Sequence, residues 1–273
     1  MDIQYYNKVY RELNKPEDIP RLSKKYTLPE DMLLVIYTQR AVRDVIRRFY
    51  KIKSRSTQHY RHWKRGTTLL EIARSDYFSP VLTAKLVLVH HGVGRKTFNN
   101  YLRDPSLIDN PRLKREIEEV VANDIIYSPE GNRIQRERGI MAEREIAEWL
   151  TEMGAEYLRE NDLREMGMEK TPDFKLKKPL VYGGIELQWV ESKASFGDKG
   201  KLKEDFRNQL RPYLKMYGPG MVIYWYGFIT PHAEEKDIIV GNRSILIDYA
   251  NIWVKKDEDS SLGPPHALHG KGQ

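Results

Sequence analysis

The 273-residue sequence predicts two structural classes in one chain: an all-α front end of helix-turn-helix dimensions, then an α/β domain with a mixed central sheet flanked by helices. Three observations predict this. Apolar residues recur at helical spacing through about the first hundred residues. Beyond residue 139 the order becomes helix, strand, strand, helix, strand, which is an α/β order. The charge is also uneven: residues 1–137 carry 26 Lys and Arg against 17 Asp and Glu, and the remainder carries 20 against 22. A chain of net charge +7 with its excess in one half suggests one part that holds a polyanion and another that does something else.

The elements follow in order. "TLPEDMLLVIYTQRAVRDVIRRFYKIKSR" opens with a Thr cap and a Pro in the first turn, then places Met32, Ile36, Val42 and Ile46 at helical spacing. In "TLLEIARSDYFSPVLTAKLVLVHHG" a short helix, a break from Asp76 to Pro80 and a second helix ending at Gly92 have helix-turn-helix dimensions. "IPRLSKKYTLPEDMLLVIY" has the same outline, so residues 1–103 read as a tandem pair of such units. Residues 104–138, punctuated by prolines, read as a helical connector, and residues 139–255 as the α/β domain. There "IMAEREIAEWLTEMG" is helical, strands begin near "DFKLK", "IELQWVESK", "MVIYWYGFI" and "SILIDYANIW", and "KEDFRNQLRPYLKMYG" is a helix between the second and third. The tail, 256–273, lacks a core pattern and is expected to be disordered.

Composition excludes several classes. Without cysteine there is no disulfide framework, thiolate metal site or cysteine nucleophile, and an intracellular compartment is expected, cytoplasmic or nuclear according to the cell type. No apolar run is long enough to span a bilayer, and the first residues lack the apolar core of a secretion signal, so no membrane partner is expected.

The chemistry concentrates in "IELQWVESK". On an alternating strand Ile185, Leu187, Trp189, Glu191 and Lys193 share one face, so two charges extend an apolar row. Either the strand leaves the core at Glu191 and the two ions pair in solvent, or each charge has a buried partner, because an unpaired buried ion costs several kcal/mol. Glu143 likewise falls on the apolar stripe of its helix, three, four and seven positions before Ile146, Ala147 and Leu150. It reads either as a first-turn carboxylate favoured by the helix dipole or as part of a site. Asp173 follows Pro172 at a strand start, where Pro-Asp is also an ordinary turn pair. Gathered at one sheet edge, three carboxylates would repel one another unless a divalent cation lay among them, and oxygen ligands favour Mg²⁺ or Mn²⁺. Asp198 either caps a turn or approaches that metal.

The order "GIMAE" at 139–143, "PD" at 172–173 and "ESK" at 191–193 resembles the PD-(D/E)xK nuclease superfamily, and the first of these looks like the Gly-x-x-x-Glu start of archaeal Holliday-junction resolvases. A more specific resemblance lies in "LRDPS", "KTPDF", "WVESKASFGD" and "YGPGMVIYWYGFI", which are similar to the TPD-motif family from about Leu69 to Ile229. That resemblance implies a helix-turn-helix front end joined to a PD-(D/E)xK nuclease domain acting on nucleic acid. It points to Asp173 and Glu191 as metal ligands and to Lys193 as the group that positions or deprotonates the attacking water. It suits Glu143 as a third ligand or as an orienting group, with the Ser192 carbonyl completing the metal shell. Gln209 resembles a glutamine that superfamily members place near the site, and equally fits a solvated surface position.

The front end would hold the nucleic acid. "RAVRDVIRRFYKIKSRSTQHYRHWKRG" has ten Lys and Arg against one Asp, interleaved with Phe49, Tyr50, Tyr60 and Trp63. Arg47, Arg48, Lys51, Lys53, Arg61, Lys64 and Arg65 are candidate phosphate contacts, and the rings could stack on bases or belong to the core. Thr83 and Lys85, at the start of the helix after Pro80, are placed where base contacts arise. His90 and His91 have no partner at metal spacing and read as packing or phosphate contacts. The reading is thus a Mg²⁺- or Mn²⁺-dependent nuclease acting on DNA, with no protein partner or oligomeric state legible. The alternative is a DNA-binding regulator whose nuclease-like domain has lost its chemistry, and a restriction-type enzyme would share the chemistry but cut a fixed sequence.

Overall fold

The structure, a computed structural model, describes residues 1–230, 235–248 and 251–255. The expected disordered tail lies outside the described residues. Two compact units are present, residues 1–37 with 138–273, and residues 38–137. Among the described residues no helix is long and apolar enough to cross a membrane.

Three helices open the chain: α1 (Ile3–Glu12), α2 (Ile19–Tyr26) and the long α3 (Glu30–Lys53). The sequence attaches residues 1–37 to the basic front end, but the structure packs them with the sheet. The reason is a core that sequence distance conceals. Tyr6, Val9, Leu13, Leu22, Leu33 and Ile36 enclose Phe196 and Ile229, and Tyr6 stacks on Phe196 at 5.4 Å.

The second unit continues through α4 (Ser56–Lys64), α5 (Leu69–Ser75), α6 (Pro80–Val89), α7 (Arg95–Arg103) and α8 (Pro111–Ala122) to the start of α9 (Pro129–Glu152). Thr68 and Glu71 form a reciprocal capping box at α5, and the Ser79 hydroxyl caps α6 ahead of Pro80. The stretch that reads as a connector is core instead, because Ile117 and Val120 of α8 pack with Leu69, Val81, Val87 and Phe98. Glu116, also buried, accepts from Trp63 Nε1 at 2.8 Å, from Leu69 N–H at 3.1 Å and from Arg112 Nε at 2.7 Å, which ties α4, α5 and α8 together.

In the first unit, β1 (Tyr157–Arg159), α10 (Glu160–Glu165), β2 (Phe174–Tyr182) and β3 (Ile185–Lys193) follow α9. Then α11 (Lys199–Asp205), a π turn over Phe206–Leu210 and α12 (Arg211–Tyr217) lead to β4 (Gly220–Tyr224), β5 (Ile238–Gly241) and β6 (Ile252–Val254). The six-stranded sheet runs β1-β2-β3-β4-β5, with β6 also pairing β2. The β3/β4 and β4/β5 pairs are parallel and the other three antiparallel, so the α11–α12 helix is the crossover that a parallel pair demands. β1 and β5, of three and four residues, escape the sequence pattern because runs so short show no alternation. "MVIYWYGFI" stays in the sheet only to Tyr224, and "SILIDYANIW" divides into a 3₁₀ turn and β6.

The sheet is covered on both faces. Ile146, Trp149 and Leu150 of α9 pack on Leu176, Leu180, Leu187, Val190, Met221 and Ile223. On the other face Leu202, Phe206, Leu210 and Tyr213 pack on Trp189, Val222 and Tyr224. Leu187 and Trp189 therefore lie in different cores, contrary to the shared face that alternation predicts. The cause is a register slip: Lys175 pairs with Trp189 but Leu180 with Leu187, so β2 bulges opposite Gln188. Gly220 is required beside Trp189, since a Cβ there would lie 2.0 Å from the indole.

Candidate active site

The antiparallel β2/β3 register brings Asp173 opposite Glu191, at the point where β3 turns from its antiparallel partner toward its parallel one. Asp173 N–H donates to Glu191 Oε2 at 3.2 Å, and Ser192 N–H donates to Asp173 Oδ2 at 2.8 Å. The two carboxylates are thus fixed by backbone donors of the facing strands. Lys193 Nζ donates to Glu191 Oε1 and to Gln209 Oε1, both at 2.6 Å. Glu191 is 3% exposed, so the strand has not left the core where its charges begin.

Gln209 reaches Lys193 from the π turn, whose extra residue is closed by the Arg211 N–H to Phe206 carbonyl bond. Such turns interrupt α-helical periodicity and are frequent at functional sites. Glu143 is half-buried on α9. It is close enough to feel the charges of Asp173, Arg159, Glu160 and Lys193. Among the described residues no three His, Asp or Glu side chains form a group that could hold a metal by themselves. Asp173 and Glu191 are the acids that hydrogen bonds bring together, and Glu143 stands outside that pair.

The electrostatics are those of charged groups held out of water. Burial, and then the Asp173 charge, pushes the Glu191 carboxyl up to about 7, against the opposing pull of Lys193. Burial also raises Asp173 and Glu143. Burial disfavours the Lys193 ammonium, but the Glu191, Asp205 and Asp173 carboxylates together outweigh it and the lysine pKa rises. Burial thus comes first in raising the three carboxyls, and nearby carboxylates raise the lysine.

Several supporting groups carry no sequence signal. Tyr213 O–H donates to the Thr171 carbonyl at 3.1 Å and its ring meets Trp189 edge-on at 5.4 Å, which holds the segment before Asp173 against α12. Buried Asp205 accepts from Lys201 and from Tyr224 O–H, both at 2.8 Å, and its charge reaches Lys193. Arg159 lies over the Phe174 ring at 4.4 Å. The Ser192 hydroxyl accepts from Trp225 Nε1 at 3.1 Å. Asp198, which the sequence does mark, caps α11, accepting from Lys201 N–H at 2.9 Å, and Tyr6 O–H donates to it at 3.2 Å.

In the helical unit the candidate nucleic-acid contacts separate. Lys51, Lys53, Arg61, Lys64 and Arg65 are exposed. Arg47 is exposed and pairs one turn away with Asp44. Arg48 donates to the carbonyls of Asp76 and Tyr77 and so closes the end of α5. Thr83 is 1% exposed, packed in the helical core, and cannot meet a base edge. Trp63 is held by Glu116, and Tyr60 stacks on His91 at 3.9 Å, which makes both rings structural, whereas Tyr50 is 80% exposed. His90 lies against His91 with ring centroids 5.0 Å apart.

Fold and site together define an α/β protein whose TPD tripeptide, Thr171 to Asp173, faces a Glu-x-Lys strand. The family model described as "Protein of unknown function TPD sequence-motif" matches residues 109–244. The chain is 38% identical over 169 residues to CDAN1-interacting nuclease 1 of Danio rerio, covering 59% of this chain and 56% of that protein. The Homo sapiens protein of that name is 36% identical over 168 residues, 59% of this chain and 60% of its own. The Gallus gallus protein is 31% identical over 230 residues, 78% and 80%. This chain belongs to the TPD-motif family. Its matches to the zebrafish and human proteins span little more than half of their length. No solved structure matches.

Proposed function

We propose that the chain is a metal-dependent nuclease of the PD-(D/E)xK type that hydrolyses DNA phosphodiester bonds with Mg²⁺ or Mn²⁺. The observation that carries this reading is geometric: Asp173 and Glu191 face each other through backbone hydrogen bonds at one sheet edge, with Lys193 held between Glu191 and Gln209. A hard divalent cation is the natural complement of such a cluster. Mg²⁺ keeps several waters and needs only one or two carboxylates, so the pair formed by Asp173 and Glu191 fits it. Bound there, the ion would neutralise charge on the scissile phosphate.

The protein's own groups account for the rest. Asp173 and Glu191 would hold the ion, and Glu143 would act from outside that pair as an orienting carboxylate. Lys193, fixed between Glu191 and Gln209, has ammonium capacity left for the attacking water or a phosphate oxygen, and stabilises charge developing there. Donating to both Glu191 and Gln209, it is placed to act as a cation. The shared name "nuclease" among the relatives and the basic helical unit both support a polyanionic substrate.

The test is cleavage of single-stranded, flapped and four-way DNA by native, Asp173→Ala and Lys193→Ala protein, with and without chelator. Each variant is expected to lose at least about 10²-fold in rate. Activity that survives both changes sinks the reading.

A further inference from the structure

In the helical unit, α6, α7 and the first turns of α9 enclose a cleft of about 660 Å³. Its rim carries Lys85, Arg103, Arg133 and Arg136, and no acidic side chain lines it. Arg133 is already paired with Glu130 at 2.6 Å and Glu137 at 2.5 Å. Lys85, Arg103 and Arg136 have no ionic partner among the described residues. Beneath them Leu82 and the Tyr127 ring are half-buried and the Asn99 and Asn132 amides are exposed, while Phe98 and Leu102, 1% and 8% exposed, back the cleft from the core.

The cleft is shaped by buried groups rather than by chance at a surface. Asp124, 5% exposed, accepts from Val81 N–H at 3.1 Å and from the Ser79 hydroxyl with one oxygen. With the other it accepts from Ile126 and Tyr127 N–H, at 3.0 and 2.8 Å. One carboxylate thereby locks the start of α6 to the turn that enters α9. Gly131 completes the fit, since a Cβ there would lie 2.5 Å from the Ile125 carbonyl oxygen.

We infer that this cleft receives an unpaired nucleotide of a nucleic-acid strand, with its base against Leu82 and the Tyr127 ring, its polar edge toward Asn99 and Asn132, and its phosphates on Lys85, Arg103 and Arg136. A duplex keeps its bases stacked and offers phosphates on a convex surface, for which an open basic face suffices. A concave site of this volume, with a ring and two amide side chains below unpaired cations, suits a base together with its phosphate. The choice of nucleic acid rests on the nuclease reading; the preference for unpaired strand comes from the cleft. Single-stranded or splayed substrates are therefore the ones this unit selects.

The test uses the full chain carrying Asp173→Ala, without divalent metal, and fluorescence anisotropy with a labelled oligothymidylate and a blunt duplex of equal length. Lys85→Gln, Arg103→Gln and Arg136→Gln combined should weaken single-strand binding at least about tenfold and lower its salt slope by about 2, at roughly 0.7 for each phosphate that is no longer neutralised. Duplex binding should change less than about threefold, and Arg115→Gln on α8 should change neither. Should the triple variant melt early, Asn99→Trp fills the cleft without altering charge and should weaken single-strand binding by about fivefold or more. Unchanged single-strand affinity, or equal loss for both ligands, overturns the inference. Cleavage by the native protein is scored separately, so failure of hydrolysis counts against the nuclease reading and unaltered affinity against the cleft.

Discussion

The two units use charge in opposite ways. In the sheet unit, Glu191 and its neighbours are buried, few, and locked by bonds of 2.6–3.2 Å, so each group is defined by what surrounds it. In the helical unit the charges are many and mostly exposed, and their positions alone do not separate a phosphate contact from a structural bond. Arg47 and Arg48 are adjacent in sequence, yet one lies in solvent and the other closes a helix end. Glu191 announces itself by breaking a hydrophobic alternation, whereas an exposed charge breaks nothing and must be assigned by its contacts.

The sharpest way to break that contrast is to neutralise Glu191. Glu191→Gln keeps the shape of the side chain and removes the charge, so on the proposed chemistry it should cost about 10³-fold in DNA cleavage. The fold should survive and its melting temperature should hold or rise, because an amide is cheaper to bury than a carboxylate crowded by Asp173. Cleavage rates beside thermal melts decide the matter. Loss of fold along with loss of rate would make Glu191 structural, like Glu116 in the other unit.

The second effect is on stability against pH. Glu191 titrates near 4.5 in the unfolded chain and at about 7 in the fold, so between those values the native state binds more protons than the unfolded state. Stability contributed by its proton is full below about pH 4.5 and is lost as pH rises through 7, by on the order of 3 kcal/mol in total. Asp173 and Glu143, also raised, push in the same direction. Melting temperature should therefore fall from pH 5 to 7.5, more shallowly in Glu191→Gln, and Mn²⁺ should restore it at the upper end. A native protein that gains stability across that window contradicts a raised, buried Glu191 carboxyl.

What the sequence reveals follows the same division. Glu191 and Lys193 are legible because an acid and an ammonium break a strand pattern, Asp173 only through its Pro-Asp pair and the resemblance that marks it, and the register brings Asp173 and Glu191 face to face. Gln209 shows only as an ambiguous helix residue, since the π turn that aims it leaves no compositional trace. Alternation puts Leu187 on the wrong face because the β2 bulge displaces the register by contacts that a two-residue period cannot encode. Residues 1–37 look like part of the basic front end for a related reason: their partners, Phe196 and Ile229, lie far along the chain. The cleft around Lys85 is equally hidden, being assembled from three helices of which each alone looks ordinary.

The smallest effect tests the exposed charges themselves. Arg48 supplies donors to the Asp76 and Tyr77 carbonyls, where the chain leaves α5 through a left-handed residue, Tyr77 with φ 48°. Arg48→Ala strips those carbonyls of their partner and should lower stability by about 1 kcal/mol, the usual net worth of such a bond near solvent. Arg47, 75% exposed and tied only to Asp44 one turn away, should be replaceable by Ala within about 0.5 kcal/mol. Nucleic-acid affinity should respond in the reverse order, because only Arg47 is free to exchange its partner for a phosphate. Parallel denaturant melts and anisotropy titrations of the two variants read both quantities. A destabilised Arg47→Ala beside an unaffected Arg48→Ala would mean that hydrogen-bond contact is the wrong guide to which arginine serves the fold.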